Sequence, residues 1–333
     1  GGHGLAAIFD SQEKGPTLLF RAELDALPIQ EKNNIPWASN LPGVSHTCGH
    51  DGHMTMLLAL GRVISRKPIK CGKVVLMFQP SEENGQGARA VVSDARYKQI
   101  KPDLAFAIHI EPGRPFGYVS TRPGLINCAS LGLKITLNGK TAHAADPSDG
   151  ISPSLAVAEF IQKISKFNHG DELNDNFRLT TVTHVQIGEQ SFGISPGDAS
   201  IFVTLRTSND DSLFQLDKDV RGLVSNISTK FKLTFDFEIF DHFAASINDK
   251  EAHDIAVNAM KALNINYGSI GVPMRASEDF GIFGKQSKAA MLCLGPGEDY
   301  AALHNPDYDF NDDLIPIGTG IFERITRDLL GTN

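Results

Sequence analysis

The sequence is poor in the features that mark several classes of protein. Its 333 residues include only four cysteines, whose scattered positions give no sign of a disulfide framework. No apolar run approaches the length of a membrane-spanning helix. Basic blocks are absent, and the net charge of −8 argues against nucleic acid as a partner. We therefore expect a protein of a reducing compartment, the cytoplasm, with neither a membrane nor a nucleic-acid partner.

Low-complexity segments and internal repeats are also absent. Hydrophobic residues make up 41% of the chain and charged residues 21%, which is an ordinary mixture for a globular protein. A length of 333 residues is long for one core and comfortable for two domains. The chain begins at Gly1 without an initiator methionine, which leaves a preceding segment, including a signal peptide, open.

The densest group of reactive side chains lies in residues 45–53. This stretch contains three histidines, one cysteine and one aspartate, and these are the ligand types that zinc and related metals select. A helical apolar pattern follows at once, so the stretch lies at the start of a helix, where the helix dipole would favour Cys48 as a thiolate. The composition favours a metal site, and a nucleophilic pair of Cys48 with a histidine is the alternative.

Further candidate ligands follow apolar strands directly. Because ligands of open α/β sheets bind beyond the carboxyl ends of the strands, these groups are expected to meet at one edge of a sheet. The carboxylates alone could belong to a solvated turn or a helix cap. The residues in question are Glu23 and Asp25 after residues 17–21, Glu82 and Glu83 after residues 73–78, His109 after residues 104–108, and His304 beyond residues 289–294.

A different pattern occupies the middle of the chain. The elements over residues 124–240 run β-α-β-β-α-β, which predicts a ferredoxin-like α+β domain inserted into an α/β domain of residues 1–123 and 241–333. In the first helix of the insertion we expect Leu155, Ala158, Ile161 and Ile164 to face inward. His143 lies in a Gly/Ala-rich loop of this domain and is either an active-site donor or a plain turn histidine.

Five stretches occur in an order that is known from one family. They read RAELDALP at 21–28, HTCGHDGH at 46–53, QPSEE at 79–83, SEDF at 277–280 and LHNP at 303–306. Through them the chain resembles the amidohydrolase branch of the aminoacylase and carboxypeptidase G clan. That branch includes hippurate hydrolases, N-acyl amino-acid amidohydrolases and plant hydrolases of indole-acetyl amino acids.

The resemblance implies a catalytic domain with a mostly parallel sheet and two divalent metal ions, zinc or manganese, with cobalt or nickel as alternatives. Cys48 would bridge the two ions. Glu83 and His304 would complete the shell of one ion, and His50 and His109 that of the other.

The resemblance also implies the remaining roles. Glu82 would be the general base, Asp25 would orient a metal ligand, and His143 would help to bind the substrate carbonyl or carboxylate. The inserted domain would act as a lid or as the interface of a homodimer. Glu23 departs from the family pattern, in which aspartate is usual at this position.

The expected reaction is metal-dependent cleavage of the amide bond of small N-acyl amino acids, which yields an acyl acid and a free amino acid. A metallo-dipeptidase or carboxypeptidase shares the same machinery and is the nearest alternative. A binding protein that kept the fold without activity is the alternative from another class.

Overall fold

The computed structural model describes residues 1–333. It contains fifteen strands and seven α-helices. The strands are β1 Leu5–Asp10, β2 Thr17–Glu23, β3 Lys73–Gln79, β4 Leu104–Ile110, β5 Val119–Ser120, β6 Gly124–Asn127, β7 Ala129–Asn138, β8 Ala142–His143, β9 Arg178–Ile187, β10 Ile194–Ser195, β11 Asp198–Thr207, β12 Thr234–Phe243, β13 Ser246–Asn248, β14 Tyr267–Gly268 and β15 Lys288–Leu294. The helices are α1 His50–Arg66, α2 Gly87–Ser93, α3 Ser154–Ile164, α4 Asp210–Phe231, α5 Lys250–Ala262, α6 Gly281–Gly284 and α7 Ile315–Leu330.

The chain divides into two compact units. Unit 1 comprises residues 1–127, 246–274 and 278–333, and unit 2 comprises residues 128–245 and 275–277. All four cysteines are free thiols. None of the helices combines the length and apolarity that crossing a lipid bilayer requires.

Unit 1 is built on a seven-stranded mixed sheet in the order β1-β3-β2-β4-β15-β5-β14. Four of the six pairings are parallel, and the pairings of β1 with β3 and of β5 with β15 are antiparallel. The strands β2, β3, β4 and β15 are buried along nearly their whole length, as their continuous apolar runs indicate. This is an α/β arrangement in which parallel strands end at a common edge.

Helix α1 lies against this sheet and begins at the densest group of reactive side chains. Gly49 precedes it with φ +80°, a left-handed conformation that glycine adopts without steric cost. The face formed by Met56, Leu57, Leu60 and Ile64 is buried in the core of unit 1. The turn at Gly49 therefore fixes the directions in which the side chains of Cys48 and His50 leave the backbone.

Unit 2 contains a four-stranded antiparallel sheet in the order β12-β7-β11-β9. With helices α3 and α4 it has the predicted β-α-β-β-α-β order of elements, and its strand order is that of a ferredoxin-like unit. Asn209 caps α4 by accepting a hydrogen bond from the Ser212 amide.

The inward face predicted for α3 is wrong in part. Leu155 and Ile161 are 69% and 43% exposed and Ala158 is exposed as well, whereas Val157 and Phe160 are buried with Ile164. The helix carries apolar residues around much of its circumference, so periodicity alone did not select the face that packs on the sheet.

Candidate metal centre

Donor atoms from four separate parts of unit 1 converge around the Cys48 thiol. The Cys48 Sγ lies 3.6 Å from Nε2 of His109, a residue of β4. It lies 3.3 Å from Nε2 of His304, which comes from the loop after β15. The Glu83 Oε1 lies 3.5 Å from Nε2 of His304 and 3.9 Å from Nε2 of His50. Sequence positions from 48 to 304 thus meet in one cluster.

Glu82 belongs to the same cluster. Its carboxylate forms a group with Glu83 and His50 in which one ligand atom of each residue lies within 4.8 Å of the others. Glu82 is buried, with 6% of its surface exposed, and Glu83 is partly buried. The structure therefore brings together all of the predicted ligands and the predicted general base.

The hydrogen bonds of His50 and His109 decide which ring nitrogen faces the cluster. His50 Nδ1 lies 2.9 Å from the carbonyl oxygen of Asp25, and His109 Nδ1 lies 2.6 Å from that of Ile110. A carbonyl oxygen only accepts, so Nδ1 carries the proton in both rings. The lone pairs on Nε2 consequently point at the cluster, which is the arrangement typical of metal-binding histidines.

Two buried atoms in the centre have no hydrogen-bond partner in the protein: His50 Nε2 and Glu83 Oε1. A buried polar atom without a partner is costly, and each such case in a folded protein needs an explanation. Thiol, imidazole and carboxylate groups around unpartnered acceptor atoms fit a bound divalent cation. The residues present therefore fit the metal ions that the sequence predicts.

Burial sets the protonation of these groups in the protein itself. It lowers the pKa of His50 to about 3, so the ring is neutral at physiological pH, as a ligand must be. Burial is also the main cause that raises the pKa of Glu83 to about 7.

The expected thiolate at Cys48 is not supported by the protein's own groups. Burial, together with the nearby charges of Glu83, Glu82 and Glu23, raises the pKa of the thiol well above its usual value. Proximity to the start of a helix is outweighed by desolvation and by negative neighbours. Ionisation of Cys48 would therefore depend on a bound cation.

The backbone around the two glutamates is tightly constrained. The amide of Gly87 donates to the carbonyl of Ser81 at 2.9 Å and closes the turn that carries Glu82 and Glu83. A Cβ atom at Gly87 would come within 1.6 Å of the Pro80 carbonyl oxygen. Ser81 itself has φ +53°, which is unusual for a residue with a side chain.

Asp25 contacts the centre from the loop after β2. Its Oδ2 accepts a hydrogen bond of 2.9 Å from the Glu83 amide, and its backbone carbonyl, rather than its carboxylate, binds His50. The Asp25 Oδ1 lies 3.7 Å from His50 Nδ1 and has no hydrogen bond. Asp25 is thus placed to orient both a carboxylate and an imidazole of the cluster.

A buried charge network underlies the centre and was not predicted as such. The Arg21 guanidinium binds Glu23, and its Nη2 donates to Glu278 and Asp279 at 2.7 Å each. Its Nε donates to Gln79 Oε1 at 3.0 Å. The sequence carried one signal, a charged residue at the end of an otherwise apolar strand. Burial of such a residue requires partners.

The carboxylates of Glu278 and Asp279 in this network affect the pKa of Glu82. Burial, then the charges of Glu278 and Asp279, raises the pKa of Glu82 well above its usual value, and Arg21 opposes this. Burial also raises the pKa of Asp279 to about 7. Glu23, by contrast, is held ionised, because Arg21 and His53 lower its pKa well below the usual range against the effect of burial.

His143 lies in unit 2, in the short strand β8, which pairs with β10. Its side chain is exposed, and its Nδ1 accepts a hydrogen bond of 3.1 Å from the Ala145 amide. The proton is therefore on Nε2, which is free to donate to a carbonyl or carboxylate oxygen.

Comparison with known proteins places this geometry in context. The model of Peptidase family M20/M25/M40 matches residues 19–328. An N-acetyldiaminopimelate deacetylase of Exiguobacterium sibiricum is 28% identical over 94% of this chain and 83% of its own length. The IAA-amino acid hydrolase ILR1-like 4 of Arabidopsis thaliana is 30% identical over 95% of this chain and 73% of its own.

A solved structure shows the same fold. The Bacillus subtilis YXEP protein, described as a dinuclear metal binding peptidase from the M20 family, matches with a TM-score of 0.81 at 24% identity. The match covers 98% of this chain and 85% of that one.

Proposed function

The chain belongs to Peptidase family M20/M25/M40 and is a metal-dependent hydrolase of the amidohydrolase type, and on that premise we propose that it cleaves the amide bond of small N-acyl amino acids. One observation carries the proposal: the convergence of donor atoms around the unpartnered Nε2 of His50 and Oε1 of Glu83. The relatives above are named as a deacetylase and as an amino-acid hydrolase, which supports an N-acyl amino acid as substrate.

Five side chains would hold two divalent ions. When bound, such ions polarise the amide carbonyl and lower the pKa of a water molecule towards neutrality. Cys48 would bind both ions, Glu83 and His304 would complete one shell, and His50 and His109 the other. The exposed position of His304, whose side chain is 49% accessible, leaves the centre open to substrate on that side.

Glu82 is the proposed general base. Burial raises the pKa of Glu82, which brings its proton affinity closer to those of the attacking water and the leaving amine. It would take a proton from the attacking water and deliver it to the amine nitrogen of the leaving amino acid. Glu83, its neighbour, instead directs its carboxylate to His304 and His50.

A matched pair of variants tests these roles. Glu82→Gln keeps the shape of the side chain but cannot accept a proton, so metal content should stay at two ions while turnover falls about 10²–10⁴-fold. Glu83→Gln should lower metal content, and excess metal should partly restore activity. Metal analysis and turnover on both proteins decide the matter. Reversed behaviour would exchange the two roles, and unchanged rates in both would refute the hydrolase mechanism.

The substrate class is tested by release of free amine. A panel of N-acyl amino acids and dipeptides, assayed with manganese, zinc, cobalt or nickel, should show turnover of the acyl compounds. Preference for dipeptides would favour the peptidase alternative, and binding without turnover would favour a non-catalytic protein.

His143 is proposed to contact the substrate through its Nε2–H. His143→Ala should raise KM or lower kcat while metal content stays unchanged, because His143 is not among the proposed ligands. Loss of metal from this variant would instead assign His143 to the metal shell.

A homodimer through unit 2 is also proposed. Strand β12 forms one edge of its sheet, and Phe235, Ile239 and Phe240 on it are 38%, 51% and 46% exposed. An exposed edge strand with apolar side chains is a template for pairing with a second chain. Light scattering on the wild type and on Ile239→Lys tests this, and a wild-type monomer would refute it.

A further inference from the structure

His53 lies in the same reactive stretch as the proposed ligands but has no free ring nitrogen. Its Nε2 accepts a hydrogen bond of 3.0 Å from the Ile110 amide, so its Nδ1 carries the proton, which it donates to Glu23 Oε2 at 2.8 Å. Although its atoms lie within metal-binding distance of Glu23 and His109, both nitrogens are occupied. His53 is therefore not available as a ligand.

The contact of His53 with Ile110 is a contact with the backbone of a ligand strand. Strand β2 pairs with β4 only as far as Ala107, so the β4 backbone beyond it lacks that neighbour. His53 takes up the Ile110 amide there. The carbonyl of the same residue accepts the Nδ1 proton of His109 at 2.6 Å. Residue 110 is thus held at both its amide and its carbonyl, and the carbonyl sets the ring orientation of His109.

The other side of His53 is anchored in the buried charge network. Glu23, which accepts from His53, also binds the Arg21 guanidinium, and that guanidinium is held by Glu278 and Asp279. The side chains of Arg21, Glu23 and His53 are at most 1% exposed. Glu23 is therefore shielded from solvent and held between two buried partners.

We propose that His53 is a positioning residue that transmits the fixed orientation of the Arg21–Glu23 pair to His109 through the backbone of Ile110. The inference rests on the proposed function, since it concerns the ion that His109 would help to bind. His53, the second histidine after Cys48, would thus orient a metal ligand without binding a metal ion itself. Groups that orient a metal-binding imidazole typically contribute 10–100-fold in metal affinity.

The test is metal binding to the full-length, metal-free chain, titrated with Zn²⁺ or Co²⁺ against a competing chelator. His53→Phe keeps a ring of similar size but removes both hydrogen bonds. We expect one of two bound ions to bind about 10–100-fold more weakly, while the other keeps its affinity. His53→Gln, whose amide can accept from Ile110 and donate to Glu23, should restore most of the loss.

Controls separate positioning from general destabilisation. Leu60 lies two turns along the same face of α1 and is fully buried. Leu60→Ala should lower thermal stability without changing either affinity. If His53→Phe does not fold, His53→Asn carries the test, because its amide can reach Glu23 but not Ile110, and it should show the same selective loss.

The outcomes are distinct. Wild-type affinity for both ions in His53→Phe or His53→Asn, or an equal loss at both sites, would overturn the inference while the proposed function stands. A wild-type chain that binds fewer than two ions would overturn the proposed function and this inference with it.

Discussion

Gly87 offers a sharp test of how Glu82 and Glu83, the proposed base and the proposed metal ligand, are positioned. A Cβ atom on this residue would lie 1.6 Å from the carbonyl oxygen of Pro80, whereas real contacts of this kind are essentially never under 3.0 Å. Gly87→Ala must therefore separate two backbone segments by roughly 1.4 Å. No flexible side chain can absorb the movement, because the obstructing atom belongs to the backbone.

The displaced segment contains the two glutamates of the proposed site. The Gly87 amide donates to the Ser81 carbonyl and closes a turn. Glu82 and Glu83 directly follow Ser81 within that turn. A misplacement of about 1 Å in a catalytic site can cost about 100-fold in rate. We expect Gly87→Ala to lower kcat about 100-fold, and to lower the free energy of unfolding by about 1–3 kcal/mol through overpacking.

A second glycine provides the matched control. Gly222 lies inside α4, and a Cβ there would meet nothing within 4 Å. Gly222→Ala should stabilise the protein by about 0.5–1 kcal/mol, because alanine loses less backbone entropy in a helix, and should leave turnover unchanged. Steady-state kinetics and chemical denaturation of both variants give the answer. Wild-type turnover in Gly87→Ala would refute the argument that this turn positions the glutamates.

Three further predictions follow from the buried charges. In the metal-free protein the pKa of Glu83 is raised from 4.5 to about 7, so between these pH values the folded state binds a proton at Glu83 that the unfolded state has lost. The free energy of unfolding should therefore fall as the pH rises from about 4.5 to 7. Glu83→Gln should remove that part of the slope in denaturation curves, and an identical slope would contradict the assignment. Arg21→Met leaves three buried carboxylates without their cation and should lower the free energy of unfolding by about 3–5 kcal/mol, as measured by denaturant unfolding. Asp279→Asn should partly rescue this variant. A loss below about 1 kcal/mol would show that the network is not needed for stability. In metal-free protein the raised pKa of the buried Cys48 thiol should make it alkylate more slowly than the partly exposed Cys71, and peptide mass spectrometry showing the reverse order would contradict this.

Much of the scaffold of the centre could be predicted from the sequence. The strands β2, β3 and β4 are continuous apolar runs that end in polar residues, and α1 follows a dense group of metal-binding side chains. Both patterns are local, so they can be read without knowing the partners. The resemblance to one family then ranked Glu82 and Glu83, which adjacent position alone could not do.

Other parts of the fold had no readable signal. Strands β5 and β14 contain two residues each, too few for any periodicity, and the antiparallel direction of β1 leaves the same apolar pattern as a parallel one. The partners of Arg21 in the acidic turn lie 257 and 258 residues away. Spacing along the chain carries no information about such a pairing. It also could not show that both ring nitrogens of His53 form hydrogen bonds within the protein.

The pairing of β4 with β15 has a consequence for how the chain is made. These strands lie side by side in parallel, yet residues 110 and 294 are separated by the whole of unit 2. At synthesis rates of about 5–20 residues per second, β4 waits roughly 10–40 s for its neighbour. During that time it presents an open strand edge. We expect ribosome-bound chains arrested before residue 288, but late enough for residue 245 to have left the ribosomal exit tunnel, to contain a protease-resistant core from residues 128–245 and none from unit 1. The nascent first half would then depend on chaperones until β15 emerges.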